Sequence, residues 1–211
     1  MTNNIIDSPQ KIKSRKIKKK ILEATDKLLY RYGYEYVTVR NICKKANIST
    51  GTFYHHFKNK DGLMRHYISV AYEIYKKENT ESWDELQSHE RVIHLLTWLA
   101  KYYMDMGVGF VSSYFTSKNQ ALNYKNLDSL PKSHKEIIDD ILSLLEKAQT
   151  VGVLKTEPDP KDIYADLNIL FLGTVFDWCT TLGNYNLEER VNKMIKMHLT
   201  HYLVDGTSLQ G

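Results

Sequence analysis

The sequence predicts an all-α fold in two parts, a short three-helix unit at the front and a larger helical part behind it. Apolar residues recur every three or four positions along almost the whole chain, and no strand-like alternation interrupts them. Only four prolines and ten glycines occur in 211 residues, so long helices meet few breaks. The charge also divides the chain. Residues 1–70 hold 15 Lys/Arg against 5 Asp/Glu, whereas residues 71–211 hold 14 against 20. A basic front on an acidic remainder suggests that one part meets a polyanion and the other does not.

Residues 1–13 are polar, Asn-rich and then basic, and read as a disordered basic arm. Ser14 is an N-cap candidate for a first helix, with Ile17, Ile21, Ala24, Leu28 and Leu29 at helical spacing and Gly33 as its stop. Thr38 caps a second helix that turns Val39, Ile42 and Ala46 inward and ends at Asn47. Ser49 caps a third, short helix, and Asn59 a fourth from about Lys60 to Glu78. Residues 88–106 place Val92, Leu95, Leu96, Leu99, Tyr103 and Met106 on one face. A short apolar segment, Val108 to Phe115, follows Gly107, and the polar stretch 117–131 reads as a loop. Residues 133–151 carry Ile137, Ile138, Ile141, Leu142, Leu145 and Ala148. The next helix starts at "EPDP" and lasts to about Thr181; after the turn "GNYN" the last one spans about Leu187 to Leu203. The expected organisation is an arm at 1–13, a three-helix unit at 14–60, a connecting helix at 61–80 and a helical domain at 81–211.

No apolar run reaches the roughly 18 residues of a membrane span, and the front lacks the apolar core of a signal peptide. The expectation is a cytoplasmic protein without a membrane partner. Cys43 and Cys179 lie far apart and read as buried thiols. There is no Gly-rich phosphate loop, nucleophile motif or ligand cluster, so no enzymatic activity, metal or cofactor is expected. His198 and His201 share a helical face but lack a third ligand beside them.

The stretch "NISTGTFYHHFKNKDGL", residues 47–63, crowds aromatic and basic residues into a few helical turns. That mixture suits neither a core nor a plain solvated surface. Short helices joined by a tight turn form a helix-turn-helix candidate, whose second element lies in the major groove. Thr38 and Ser49 stand at helix starts, where free N–H groups and the dipole attract phosphate. Thr50 and Thr52 can hydrogen-bond and offer a methyl to thymine. Gly51 permits close approach. Tyr54 can donate to a phosphate, Lys60 can reach one, and Phe53 and Phe57 suit the core. Arg40 is either a further contact or a solvated cation. Of the adjacent histidines, His55 suits DNA contact and His56 packing at the helix end.

The segment "ILEATDKLLYRYGYEYVTVRNICKKANISTGTFYHHFKNKDGL" resembles the DNA-binding domain of the TetR family of bacterial transcriptional regulators. Ala24, Gly33, Thr38, Ala46, Ser49, Gly51, Tyr54, Phe57, Lys60 and Leu63 fall where that family's pattern places them. Cys43 departs from it by replacing a small alanine. The resemblance implies DNA contacts from Thr38, Ser49, Thr50, Gly51, Thr52, Tyr54, His55 and Lys60. It also implies a helical ligand-binding and dimerisation domain, with a bundle formed by the last two helices of each subunit. The expected partners are double-stranded DNA at a palindromic operator, a small-molecule effector and a second copy of the chain.

Within the carboxy-terminal part, Trp98, Tyr102, Phe110, Tyr114, Phe115, Phe171 and Trp178 are pocket candidates; singly, each suits core packing as well. His94, Asp105, Asn168 and Asp177 could add polarity. Gly173 permits close helix approach, and with the last-helix stripe Leu187, Val191, Met194, Ile195, Leu199 and Tyr202 it is the dimer-interface candidate, against ordinary intrachain packing. The leading expectation is a dimeric repressor released from its operator by a small apolar or aromatic ligand. The alternative is a DNA-binding regulator controlled by a protein partner.

Overall fold

The computed structural model describes residues 9–78, 86–114 and 132–207. The chain divides into two compact units, Met1–Met64 and Arg65–Gly211. Among the described residues every long element is an α-helix: α1 (Pro9–Tyr32), α2 (Val39–Ala46), α3 (Thr50–His56), α4 (Lys60–Glu78), α5 (Ser88–Met106), α6 (Val108–Tyr114), α7 (Lys132–Thr150), α8 (Pro160–Thr180) and α9 (Leu187–Thr200).

In the first unit, Ile21, Ala24 and Leu28 of α1 are buried, as are Ile42, Cys43 and Ala46 of α2 and Phe53 of α3. Gly33 stops α1 with φ +72°, a conformation that favours glycine, and its N–H reaches the Leu29 carbonyl at 3.0 Å. A single 3-10 turn at Tyr34–Tyr36, which the spacing did not announce, leads into α2. Two expectations need correcting. Helix α1 begins at Pro9, not after Ser14, so residues 9–13 are helical; proline suits a first helical position, and Gln and Lys are good helix formers. The first unit also runs past residue 60, because Leu63 in the first turn of α4 is fully buried with it. Residues 1–8 and the expected loop 117–131 lie outside the described residues.

In the second unit α5 packs against α9, α7 and α6, and α8 against α9, α6 and α7. Leu95, Leu145, Ile163, Leu167 and Leu187 are fully buried there. Gly107, at φ +86°, separates α5 from α6. Helix α9 ends at Thr200, three residues short of the expected Leu203. The chain there leaves the helix to pair with residues 153–155: Lys155 N–H donates to the Tyr202 carbonyl at 2.8 Å, and Val204 N–H to that of Val153 at 3.0 Å.

Candidate nucleic-acid interface

The turn between α2 and α3 is closed by local chemistry. Thr38 accepts from the Asn41 N–H at 3.1 Å and so caps α2, while Asn41 donates from its amide to the Tyr36 carbonyl at 2.8 Å. Asn47 ends α2 in the left-handed region at φ 52°, which asparagine tolerates better than most residues. The Ile48 N–H then reaches the Cys43 carbonyl at 3.0 Å, and the Cys43 thiol points at the Ser49 carbonyl at 3.7 Å. Burial pushes the Cys43 thiol up, so it stays protonated and serves as packing.

Ser49 caps α3 by accepting from the Thr52 N–H at 3.0 Å, and its hydroxyl also pairs with that of Thr52 at 2.9 Å. Two hydroxyls sharing one hydrogen bond leave one O–H proton over. Whichever oxygen donates, the other hydroxyl keeps a donor, at a helix start that favours an anion.

Phe53 is fully buried and Phe57 nearly so, their rings 5.8 Å apart. With these anchored, Thr50, Gly51, Tyr54 and His55, at positions i, i+1, i+4 and i+5, are left exposed on the opposite face of α3. Tyr54 is 54% exposed and stands edge-on to Phe53. Thr52 is half-buried. His56 is half-buried, and its imidazole is held low by burial first and then by the neighbouring His55 and Lys18. Arg40, on α2, is exposed. Lys60 is the first residue of α4, a start capped by Asn59 through the Gly62 N–H at 2.8 Å. The first unit therefore brings the predicted residues from Thr38 to Lys60 onto the starts of α2, α3 and α4 and one face of α3.

Gly51 is informative because the protein itself does not require it. A Cβ there would meet nothing nearer than Ser49 Oγ at 3.7 Å, and the backbone is ordinary helix. Glycine in a helix costs about 0.5–1 kcal/mol relative to alanine. Gly51→Ala is accordingly expected to raise the stability of the first unit by about that amount. The same change is expected to weaken operator binding by about tenfold, roughly 1.4 kcal/mol. Paired thermal melts and DNA titrations check both signs; unchanged DNA affinity would remove Gly51 from the interface.

In the second unit the described members of the predicted aromatic set meet several different neighbours. Trp98 and Tyr102 are half-buried and stacked at 5.6 Å, with Tyr75 of α4 edge-on to Trp98 at 5.3 Å. The Tyr102 hydroxyl donates to the Tyr67 carbonyl at 3.3 Å. Phe171 meets α5 through Tyr103 instead, 5.9 Å away. Trp178 is buried, donates to the Tyr185 carbonyl at 3.1 Å and supports the turn at Gly183, where a Cβ would lie 3.4 Å from its ring. Phe110 packs on Tyr67. The side chain of Tyr114, and all of Phe115, lie outside what the structure describes.

Sequence reading named His94 but missed Tyr72, Tyr75 and Asp140 as polar members of this aromatic group. Tyr72 donates to Asp140 of α7, and the Tyr75 hydroxyl lies 3.1 Å from His94 Nδ1. Burial raises both tyrosine hydroxyls well above the usual range, and Asp140 adds to the effect at Tyr72. Of the expected polar residues His94 joins the group. Asp105 pairs with Lys101 at 3.0 Å and Asp177 accepts from Tyr185 at 3.0 Å, both exposed. A separate cavity of about 310 Å³ opens between the start of α5 and the end of α7, lined by Gln87, Ser88, His89, Arg91, Lys147 and neighbouring apolar residues. None of the predicted aromatic residues lines it.

His89 is buried with no protein partner at either ring nitrogen, and burial holds its imidazole below the ordinary 6.5, as it does for His94. Glu90 opposes the effect at His89 more weakly. A base whose folded pKa is lowered binds fewer protons than the unfolded chain in acid. The stability it supports is complete above about 6.5 and is lost as pH falls through that value toward the lowered one. The melting temperature is therefore expected to fall as pH drops from about 7 to about 5, with a shallower fall in His89→Phe. Equal slopes for the two proteins would show that His89 does not contribute.

The last helix requires the main correction. Leu187, Val191, Ile195 and Leu199 are fully buried within their own chain, so they cannot form an intersubunit surface. Met194 and Tyr202 are half-buried, and Gly173 alone of the set is exposed. Amphipathic spacing reveals that a face is covered, but not whether its own chain covers it. Helix α8, which the sequence reading also offers to the interface through Gly173, is apolar on most sides. Its core face holds Ile163, Leu167, Phe171, Val175 and Trp178, and it still exposes Ile169 (63%) and Phe176 (55%); Met197 of α9 is 58% exposed.

This arrangement defines a helix-turn-helix DNA-binding protein with a larger helical domain. Residues 21–67 match the family model for bacterial regulatory proteins of the tetR family. The chain is 42% identical over 195 residues, 92% of its own length and 98% of the other, to the uncharacterized HTH-type transcriptional regulator YvkB of Bacillus subtilis. It therefore belongs to the TetR family, and it is a transcriptional regulator rather than an enzyme. Its fold is similar to that of Thermus thermophilus FadR, a TetR-family repressor in complex with lauroyl-CoA, at TM-score 0.63 and 20% identity over 92% of this chain and 99% of that one. It is similar too to SmeT in complex with triclosan, at TM-score 0.60 and 20% identity over 93% and 96%.

Proposed function

We propose that the chain is a cytoplasmic dimeric repressor that reads a palindromic operator with α3 and is released by a small apolar or aromatic ligand. The observation that carries this reading is the exposed α3 face, Thr50, Gly51, Tyr54 and His55, beside three capped helix starts. The second copy is expected to cover Ile169, Gly173 and Phe176 of α8 and Met197 of α9, in place of the buried α9 stripe. The ligand is expected against Trp98 and Tyr102, where Tyr72, Tyr75, His94 and Asp140 supply the polar groups. FadR, in complex with lauroyl-CoA, whose acyl chain is apolar, and SmeT, in complex with the aromatic triclosan, support a ligand with an apolar or aromatic part.

Release follows if the ligand prefers a dimer whose two reading heads no longer match half-sites roughly 34–36 Å apart. Helix α4 is continuous from Lys60 to Glu78 and is the natural transmission. Turning occupancy over fully needs about a 10⁴-fold difference in ligand affinity between the two states.

The test begins with duplexes selected from a random library by the full-length protein. A palindrome is expected. Tyr54→Phe is expected to weaken its binding several-fold. Lys60→Ala is expected to weaken binding across sequences and to make the salt slope shallower by about one unit. Apolar and aromatic compounds that raise the melting temperature are expected to lower operator affinity. Selection that returns no sequence would remove the repressor reading. Compounds that bind without changing affinity would shift control to a protein partner.

A further inference from the structure

We propose that the amino-terminal stretch of α1, residues 9–20, is a second DNA-backbone site that holds phosphates flanking the half-site read by α3. The proposal rests on the operator-binding reading above and extends its footprint. Residues 11–20 contain seven lysines and arginines and no acidic residue. They belong to one continuous 24-residue helix, whose first turn carries no acidic residue either. Cations at the positive end of a helix dipole oppose helix formation, and like charges one turn apart repel. A sequence that keeps this local conflict on a regular helix has a use for it outside the fold.

The stretch stands ahead of the core. Among the α1 residues whose burial is described, Ile21 is the first that is fully buried; Ser14, Ile17 and Lys18 are half-buried, and Lys13, Arg15, Lys16, Lys19 and Lys20 are exposed. Twelve helical residues span about 18 Å, enough to pass several phosphates. Its place in the first unit is fixed by Lys18, whose Nζ lies 5.9 Å over the ring of Phe57, the residue that ends α3. The basic stretch thus leaves from beside the carboxy-terminal end of the recognition helix. By helical register Lys11, Arg15 and Lys19 follow one another four apart on the flank that includes Lys18, and Lys13, Lys16 and Lys20 lie on the other flank. Cations on both flanks, with only Ile12 and Ile17 as large apolar residues, leave no broad apolar face of the kind a membrane surface takes. A rigid cation row next to a base-reading element fits the sugar–phosphate backbone.

The experiment uses the full-length protein and one selected operator in two duplexes, the core palindrome alone and the same palindrome with about ten base pairs of flank on each side. Lys11→Gln/Arg15→Gln/Lys19→Gln is compared with Lys13→Gln/Lys16→Gln/Lys20→Gln, each checked by thermal melting. Wild type is expected to bind the flanked duplex more tightly and with a steeper salt slope. The first triple variant is expected to lose that advantage, with a slope shallower by roughly two to three units per subunit, and to bind the core duplex as wild type does. The second is expected to retain most of it. Equal affinity of wild type for both duplexes, or equal losses in the two triple variants, would overturn the proposal while leaving operator binding in place. Failure of wild type to bind either duplex would instead remove the repressor reading.

Discussion

Phe176→Glu is expected to halve the mass of the particle in solution and leave each chain folded, whereas Leu199→Glu is expected to unfold the carboxy-terminal unit. The two residues lie on the two helices where a partner surface is expected, but their environments differ. Leu199 is fully buried by its own chain. A carboxylate there forfeits the leucine's burial, about 1.5–3 kcal/mol, and adds an unpaired buried charge. The combined cost, on the order of 5 kcal/mol, approaches the whole stability of a typical domain. Phe176 is 55% exposed in the single chain, so glutamate costs little there until a second copy covers it. Sedimentation and thermal melting of wild type and both variants decide the matter. A wild type that is monomeric at micromolar concentration would end the dimer reading. A Phe176→Glu protein that stays dimeric would move the interface away from α8.

Phe53→Ala is expected to abolish operator binding by unfolding the first unit, with the second unit still folded. Helix α3 has seven residues, too few to hold together alone in water. It is fixed by two caps and by Phe53 and Phe57, and Phe53 is fully buried. Truncating a buried phenylalanine costs about 3–5 kcal/mol. A unit with one small core has little in reserve against that. Calorimetry is expected to separate an early transition from the later one of the second unit. An affinity within a few-fold of wild type would show that the start and end of α3 hold it without the ring.

Most of the helices were legible because their ends are written in local chemistry. Thr38, Ser49 and Asn59 cap as their types suggest, Gly33 and Gly107 break helices at positive φ, and "EPDP" places Asp159 at the N-cap of α8. The start of α1 was not legible, because lysine-rich sequence reads equally as a solvated tail or a helix. The DNA-facing candidates could be named because α3 is short enough that its two phenylalanines leave one possible outer face. The same reasoning failed on α9, where one apolar stripe had two possible covers and its own chain proved to be the cover. Spacing also does not say which aromatic candidates of the second unit meet one another. Phe171 and Trp98 share composition but meet different neighbours, and the hydrogen bonds of Tyr72 to Asp140 and Tyr75 to His94 link residues 68 and 19 positions apart. No local pattern carries such pairings.

The open space around Gly51 has a genetic consequence. If the chain is the dimer proposed above, a side chain added there leaves the fold and the exposed face of α8 untouched, so the altered chain would accumulate normally and assemble with unaltered copies. In a cell that makes both, random pairing of equal amounts would leave only about one dimer in four with two working heads, because both half-sites must be read together. A lesion at Gly51 would then be dominant over the intact gene. One at Phe53, which removes the folded unit and exposes the chain to degradation, would be recessive.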